Sequence, residues 1–236
     1  AKVETIIEYM QGAYSGAWCN RILVLGDDGD NNAHMEDADK MAGIYQNLNP
    51  AVDVRKIYWD AFPLEVTSSS NGYPSVRKLL LEQFDEGSLI VNYSGHGSTG
   101  EISHERVLTK ADMANLKSKR LPFWITASCD ISPFDSPLES LGVNLVNNAD
   151  GGAIGLLGTT RTVYASLNGC MNRSFSRYLL SRSADGRLNT LGDAMRLAKN
   201  ELVTQGVGEN DRTENKIHFV LLGDPALHLA VAELKA

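Results

Sequence analysis

Cysteine is scarce in this chain: Cys19, Cys129 and Cys170 are the three among 236 residues. They are too few and too scattered for a disulfide framework, and their spacing matches no metal knuckle. The odd count leaves at least one free thiol in a monomer. Basic residues are also short, 22 Lys and Arg against 29 Asp and Glu, for a net charge of −7. That balance argues against nucleic-acid binding. No apolar run approaches the ~20 residues that a membrane-crossing helix needs. The start, AKVETIIEYM, lacks a secretory signal and an initiator methionine, so the expectation is a processed or excised piece of a longer protein. There is no internal repeat and no low-complexity segment. No GxGxxG or P-loop follows the first strand, which ranks a nucleotide-binding domain last among the readings.

What is present is a chain 43% hydrophobic, enough to bury one α/β core. Short apolar runs at residues 21–25 (RILVL), 52–57, 88–93 (SLIVNY), 121–127 (LPFWITA), 153–158 (AIGLLG) and 217–222 (IHFVLL) read as strands. Most are continuously apolar, the pattern of a mainly parallel sheet covered on both faces. Between them lie helical patterns at about 35–48, 74–84, 139–147, 170–182 and 191–203, with Pro74 in a first turn and Gly87 as a stop. Thr109 caps a short helix with Asp112 in its first turn. The segments 68–72 and 205–216 read as polar loops, the second as mobile. Tyr93 and Trp124 sit in apolar strands and read as core, and Cys19 and Cys170 read as packing residues.

Two segments follow directly on buried strands: NYSGHGS, carrying His96, and TASCD, carrying Cys129, 129 − 96 = 33 residues later. Taken singly, a histidine in a Gly-His-Gly turn is ordinarily a loop residue and a cysteine after a strand is ordinarily core. Their joint placement at strand carboxyl ends, where open parallel sheets bind ligands, points instead to chemistry. A histidine beside a cysteine helps generate the thiolate nucleophile. Gly95 and Gly97 let the backbone turn sharply, and the amides of Gly97 and Cys129 are candidates for an oxyanion hole. The acidic loop 27–32 (DDGDNN) reads as a solvated loop. It also offers oxygen ligands that suit calcium, without an EF-hand pattern. No other cofactor is expected.

These motifs resemble the gingipain family of caspase-like cysteine peptidases, and within it the sortase subunits of the Bacteroidetes type IX secretion system. LGDDGDNNAH, KIYWDAFP, ERVLT, GTTRTVY and LLGDPALHL add individually weaker support from about Cys19 onward. The resemblance implies a caspase-like three-layer α/β/α sandwich over residues 1–236, with an upstream part of the parent protein missing. It implies Cys129 as nucleophile, His96 as its partner, and Asp28 as the carboxylate that orients the histidine, with Asp27 and Asp30 as rivals. It also implies polypeptide substrates, namely secreted cargo, with other secretion components as partners and the outer-membrane surface as location. Substrate-pocket walls are expected from loops 130–137 and 159–165, with Asp130, Thr160 and Arg161 as candidate substrate-binding residues. For Arg161 a structural salt bridge is the competing reading. The chain departs from the family pattern at Gly142-Val143, where gingipains carry Gly-Glu, and at Ile102, where a tryptophan is common. The rivals to a sortase are a general secreted endopeptidase and a non-catalytic scaffold.

Overall fold

A computed structural model describes residues 2–66, 68, 71–183, 186–204 and 208–231. Six strands form the central sheet: β1 (Arg21–Gly26), β2 (Asp53–Tyr58), β3 (Ile90–Ser94), β4 (Phe123–Ala127), β5 (Gly155–Thr159) and β6 (Phe219–Leu222), in the order β6-β5-β4-β3-β1-β2. All neighbours run parallel except β6, which pairs antiparallel with β5. The final apolar run is therefore shorter than expected. Residues Asn215–His218 close a helical turn, and only Phe219 onward is strand.

Side chains alternate across the sheet, and both faces are apolar. Ile22 and Val24 of β1, Phe123 and Ile125 of β4 and Leu157 of β5 join one core. It is packed by α1 (Lys2–Met10), α2 (Ala33–Leu48), α6 (Ala165–Leu179) and α7 (Leu191–Val203). Leu23, Leu25, Val91, Tyr93, Trp124 and Leu156 face a second core, under α3 (Pro74–Glu86), α4 (Lys110–Asn115) and α5 (Leu141–Asn147). Two buried faces are why the strands read as unbroken apolar runs. The α4 start is a full capping box: the Thr109 side chain accepts from Asp112 N, and the Asp112 carboxylate accepts from Thr109 N. α6 begins at Ala165, five residues before the sequence pattern indicates.

The expected loops at 68–72 and 205–216 lie partly outside the described residues. Residues 208–216 are tied down. Asp211 is buried and accepts from the backbone of Thr213 and Lys216, and Glu209 pairs with Arg173.

One polar network crosses the first core. Asn92 Nδ2 donates to Tyr45 Oη and to Asn172 Oδ1, both at 2.7 Å, and Asn172 Nδ2 returns a bond to Asn92 Oδ1 at 2.9 Å. Ser176 Oγ lies 2.9 Å from Tyr45 Oη. All four side chains are buried. Asn92→Ala orphans polar groups on Tyr45 and Asn172, so it is expected to destabilise by about 2–4 kcal/mol, read from urea unfolding.

Candidate active site

The order β2-β1-β3 reverses the direction of winding, and the chain leaves β1 and β3 on opposite sides of a crevice at their carboxyl ends. Ser94 of β3 is the register partner of Ala127 of β4. His96 and Cys129 each lie two residues beyond that pair, on strands about 4.8 Å apart. Both are partly exposed.

The His96 backbone is fixed from below. Its N–H donates to Asp27 Oδ2 at 2.8 Å, and its carbonyl lies 2.7 Å from the Tyr93 hydroxyl, itself 3.0 Å from Asp27 Oδ2. Gly95 is required here. A Cβ would lie 2.2 Å from Tyr93 Oη and 2.5 Å from Asp27 Cβ. At Gly97 a Cβ would come 2.3 Å from Ser128 Oγ, so the loop after His96 presses on the backbone that carries Cys129.

Asp30, not Asp28, meets the imidazole. Asp30 Oδ2 lies 2.7 Å from His96 Nε2, whereas Asp28 Oδ2 accepts from the Tyr73 hydroxyl at 2.7 Å, on the other side of the loop. The reason is local backbone. Asp30, Asn31 and Asn32 all take positive φ (45°, 55° and 66°), a left-handed run that Asn and Asp tolerate, and it swings Asp30 over the crevice. The hydrogen bond from His96 holds the Asp30 carboxyl below the usual carboxylate range. A carboxylate accepts, so Nε2 carries the proton and Nδ1 keeps its lone pair. Sequence reasoning missed two further rings. His34, from the first turn of α2, sets Nε2 3.1 Å from the same Asp30 oxygen and meets the His96 ring edge-on. His104 stacks on His96 at 4.1 Å between centroids. Burial lowers the pKa of His34.

The thiol sits against the loop after β5. Val163 N–H points at Cys129 Sγ at 3.4 Å, and Sγ lies 3.4 Å from Val163 O. The next residue, Asp130, has φ 50°, a sharp turn that lifts the cysteine to the rim. The turn is laced to β5 through Ser132 N to Thr159 O at 2.7 Å and Thr159 Oγ1 to Ser128 O at 2.5 Å. Imidazole and thiol do not hydrogen-bond each other. The Gly97 and Cys129 amides donate to no acceptor among the described residues.

The other expected residues have structural partners. Arg161 pairs with Asp135 through both ends of its guanidinium, at 3.1 and 2.5 Å, tying together the two rim loops. Asp130 Oδ2 accepts from Thr162, and Thr160 N–H and Oγ1 both donate to His218 O. Beside Cys129, a cleft of about 530 Å³ is lined by Thr162–Tyr164, Thr213–Asn215 and His218. A larger cleft, about 770 Å³, borders Arg21 and Ser118–Arg120 at the opposite edge of the sheet, far from this chemistry. Cys19 is buried in the first core, as expected, whereas Cys170 is only half-buried beside Arg173.

Asp27 is buried, and burial pushes its carboxyl up to about 6, against the bonds from His96 N and Tyr93 and with Asp28 and Glu105 adding repulsion. A raised carboxyl binds a proton in the folded state that the unfolded chain has already released. Its contribution to stability is therefore fully present below the ordinary value near 4 and falls as pH rises to about 6. Thermal unfolding of the native chain is expected to lose about 2–3 kcal/mol relative to Asp27→Asn across that window.

The family model of peptidase family C25 matches residues 1–230. No match is found among curated protein sequences. Gingipain R (RgpB), an Arg-specific cysteine proteinase, superposes with a TM-score of 0.71 at 16% identity, over 98% of this chain and 52% of that one. RgpB in the complex of Porphyromonas gingivalis pro- and mature domains gives 0.71 at 14%, over 98% and 53%. The Saccharomyces cerevisiae separase–securin structure gives 0.53 at 16%, over 93% and 13%. The chain spans about half the length of the gingipain chains it matches. At these identities the likeness carries the fold, which is the expected caspase-like α/β sandwich with a mainly parallel sheet.

Proposed function

The chain belongs to peptidase family C25, and from that premise we propose that it carries the catalytic centre of a cysteine peptidase acting by acyl transfer. Cys129 Sγ is the nucleophile, His96 Nδ1 takes and returns its proton, and Asp30 orients the ring. The amides of Gly97 and Cys129 receive the developing oxyanion. The observation that carries this reading is the register. Two adjacent parallel strands deliver an imidazole and a thiol at equivalent positions, with a carboxylate behind the imidazole.

In this reading the substrate carbonyl enters between ring and sulfur. The Val163 N–H, already on the sulfur, stabilises the thiolate. The thiolate attacks, the carbonyl oxygen turns to the two free amides, and imidazolium protonates the leaving amine. An acyl-enzyme remains for water or a second amine. The cleft beside Val163 and Tyr164 takes the side chain that precedes the cleaved bond. Asp130, Thr160 and Arg161 shape its rim and act on substrate through their loops.

The proposal extends to the substrate class. LGDDGDNNAH and NYSGHGS support a sortase of the PorU type, which removes carboxy-terminal secretion signals and joins cargo to lipopolysaccharide at the outer-membrane surface. The test uses the full-length protein, a peptide substrate and a peptidyl electrophile. Stoichiometric labelling of Cys129 that is lost on His96→Ala supports the peptidase, and no labelling favours a scaffold. Products joined to an added amine separate a sortase from an endopeptidase that yields only the free acid.

A further inference from the structure

We propose that Asp30, His34 and His96 form a site for a transition-metal ion of the zinc class, whose binding switches the proposed dyad off. The inhibitory half rests on the peptidase reading; the binding half does not.

One carboxylate oxygen and one nitrogen from each of two imidazoles lie within 4.8 Å of one another. His34 Nε2 and His96 Nε2 approach the same Asp30 oxygen, at 3.1 and 2.7 Å. Tetrahedral zinc with bonds of about 2.0–2.1 Å spaces its ligands about 3.4 Å apart, so centring an ion among these atoms takes shifts of about 1 Å. Asp30 is on the exposed side of the cluster and has room to make that shift. Three protein ligands leave a fourth position for water. Two imidazoles suit zinc and its neighbours and are foreign to calcium and magnesium, so the acidic loop holds a nitrogen-rich site beside its oxygens.

Burial pre-sets one of the ligands. His34 is 6% exposed, yet its Nε2 points out of the core into the cluster, so one ligand is held in place before any ion arrives. The amino terminus of α2 disfavours a cation. Asp27, Asp28 and Glu105 form a second carboxylate group behind the His96 backbone, and Glu36 lies in the first turn of α2; both offset that field.

The switch follows from the tautomer. With Asp30 as acceptor, His96 carries its proton on Nε2 and offers Nδ1 to the thiol. An ion takes the Nε2 lone pair, so the proton of the neutral ring moves to Nδ1. No proton is lost in the exchange, but the ring no longer has a site to accept one from Cys129. Asp30 is drawn from the imidazole to the metal in the same step. The sulfur takes no part, which separates this site from zinc bridging a catalytic thiol.

Full-length protein is titrated with zinc chloride by equilibrium dialysis, with cobalt(II) absorption as the spectroscopic reading. Zinc is expected to bind Cys129→Ala as tightly as the native protein, and His34→Gln and Asp30→Asn at least about tenfold more weakly. Asp30 is exposed, so its variant reads the site even if replacing the buried His34 unfolds the protein. Calcium is expected not to compete. Zinc binding that survives both ligand substitutions, or disappears with Cys129→Ala, overturns the site. In an active preparation, zinc is expected to inhibit reversibly on chelation, each variant scored against its own metal-free rate. Saturation of the site with the rate unchanged overturns the switch. A protein inactive on every peptide counts against the dyad, while the dialysis still decides the site.

Discussion

Replacing Cys129 by alanine in the full-length protein is expected to reduce kcat/KM on a peptide substrate by at least about 10³-fold. The sulfur is the atom that bonds the acyl group, and nothing beside it can replace it. Thr162 Oγ1 is engaged with Asp130, and Ser128 Oγ is buried beneath Gly97. His96→Ala is expected to cost a similar factor, because it removes the group proposed to take the proton from the sulfur and return it to the leaving amine. The double variant is the sharper reading. If thiol and imidazole act as one unit, removing both costs little more than removing either, since what remains is oxyanion stabilisation and binding. Independent roles would multiply the two losses. The folded state should be nearly unaffected by either change, because both side chains lie at the rim and only the sulfur touches the core. A Cys129→Ala protein that keeps a tenth of its activity ends the proposed mechanism.

That His96 and Cys129 follow neighbouring parallel strands was legible in the sequence, because such a placement depends on a rule of folds. Unbroken apolar runs mean a parallel sheet, and residues just beyond such runs share one edge. NYSGHG and TASCD could be read as neighbours without knowing a single contact. The choice among Asp27, Asp28 and Asp30 was not legible, because it depends on the course of the loop backbone, where Gly29 and Asp30 take positive φ and turn Asp30 away from the two carboxylates before it. Asp27 turns under His96, Asp28 to Tyr73 and Asp30 over the ring. A trace was present in Asp30-Asn31-Asn32, a composition suited to positive φ, followed by a histidine four residues after Asp30. His104 carried no signal at all: it reaches the site only through the small ribbon that pairs Glu101–Ile102 with Leu108–Thr109. The antiparallel sixth strand was hidden for a related reason. Strand direction is set by where the preceding connection starts, and IHFVLL reads the same in either sense.

The three aspartates can be told apart by activity. Asp30→Asn is expected to lower kcat/KM by about 10²-fold, and Asp28→Asn by no more than a few fold. An asparagine at 30 can turn its amide nitrogen toward His96 Nε2 and donate. The ring would then hold its proton on Nδ1, facing the thiol, where it cannot act as a base. The loss should fall on kcat more than on KM, because the substrate does not touch Asp30 in the proposed binding mode. Asp30 is exposed, and its removal leaves no buried group unpaired except His34 Nε2, so unfolding should shift little. The Asp28 carboxylate accepts from Tyr73, and its backbone N–H donates to Asp27 Oδ1, a bond the substitution does not touch; the amide variant therefore keeps an acceptor for that hydroxyl. Asp27→Asn is distinct again, because it changes the pH dependence of stability before it changes chemistry. If Asp28→Asn proves the more damaging of the first two, the loop must rearrange on binding substrate, and the carboxylate suggested by family resemblance is then the one that serves His96.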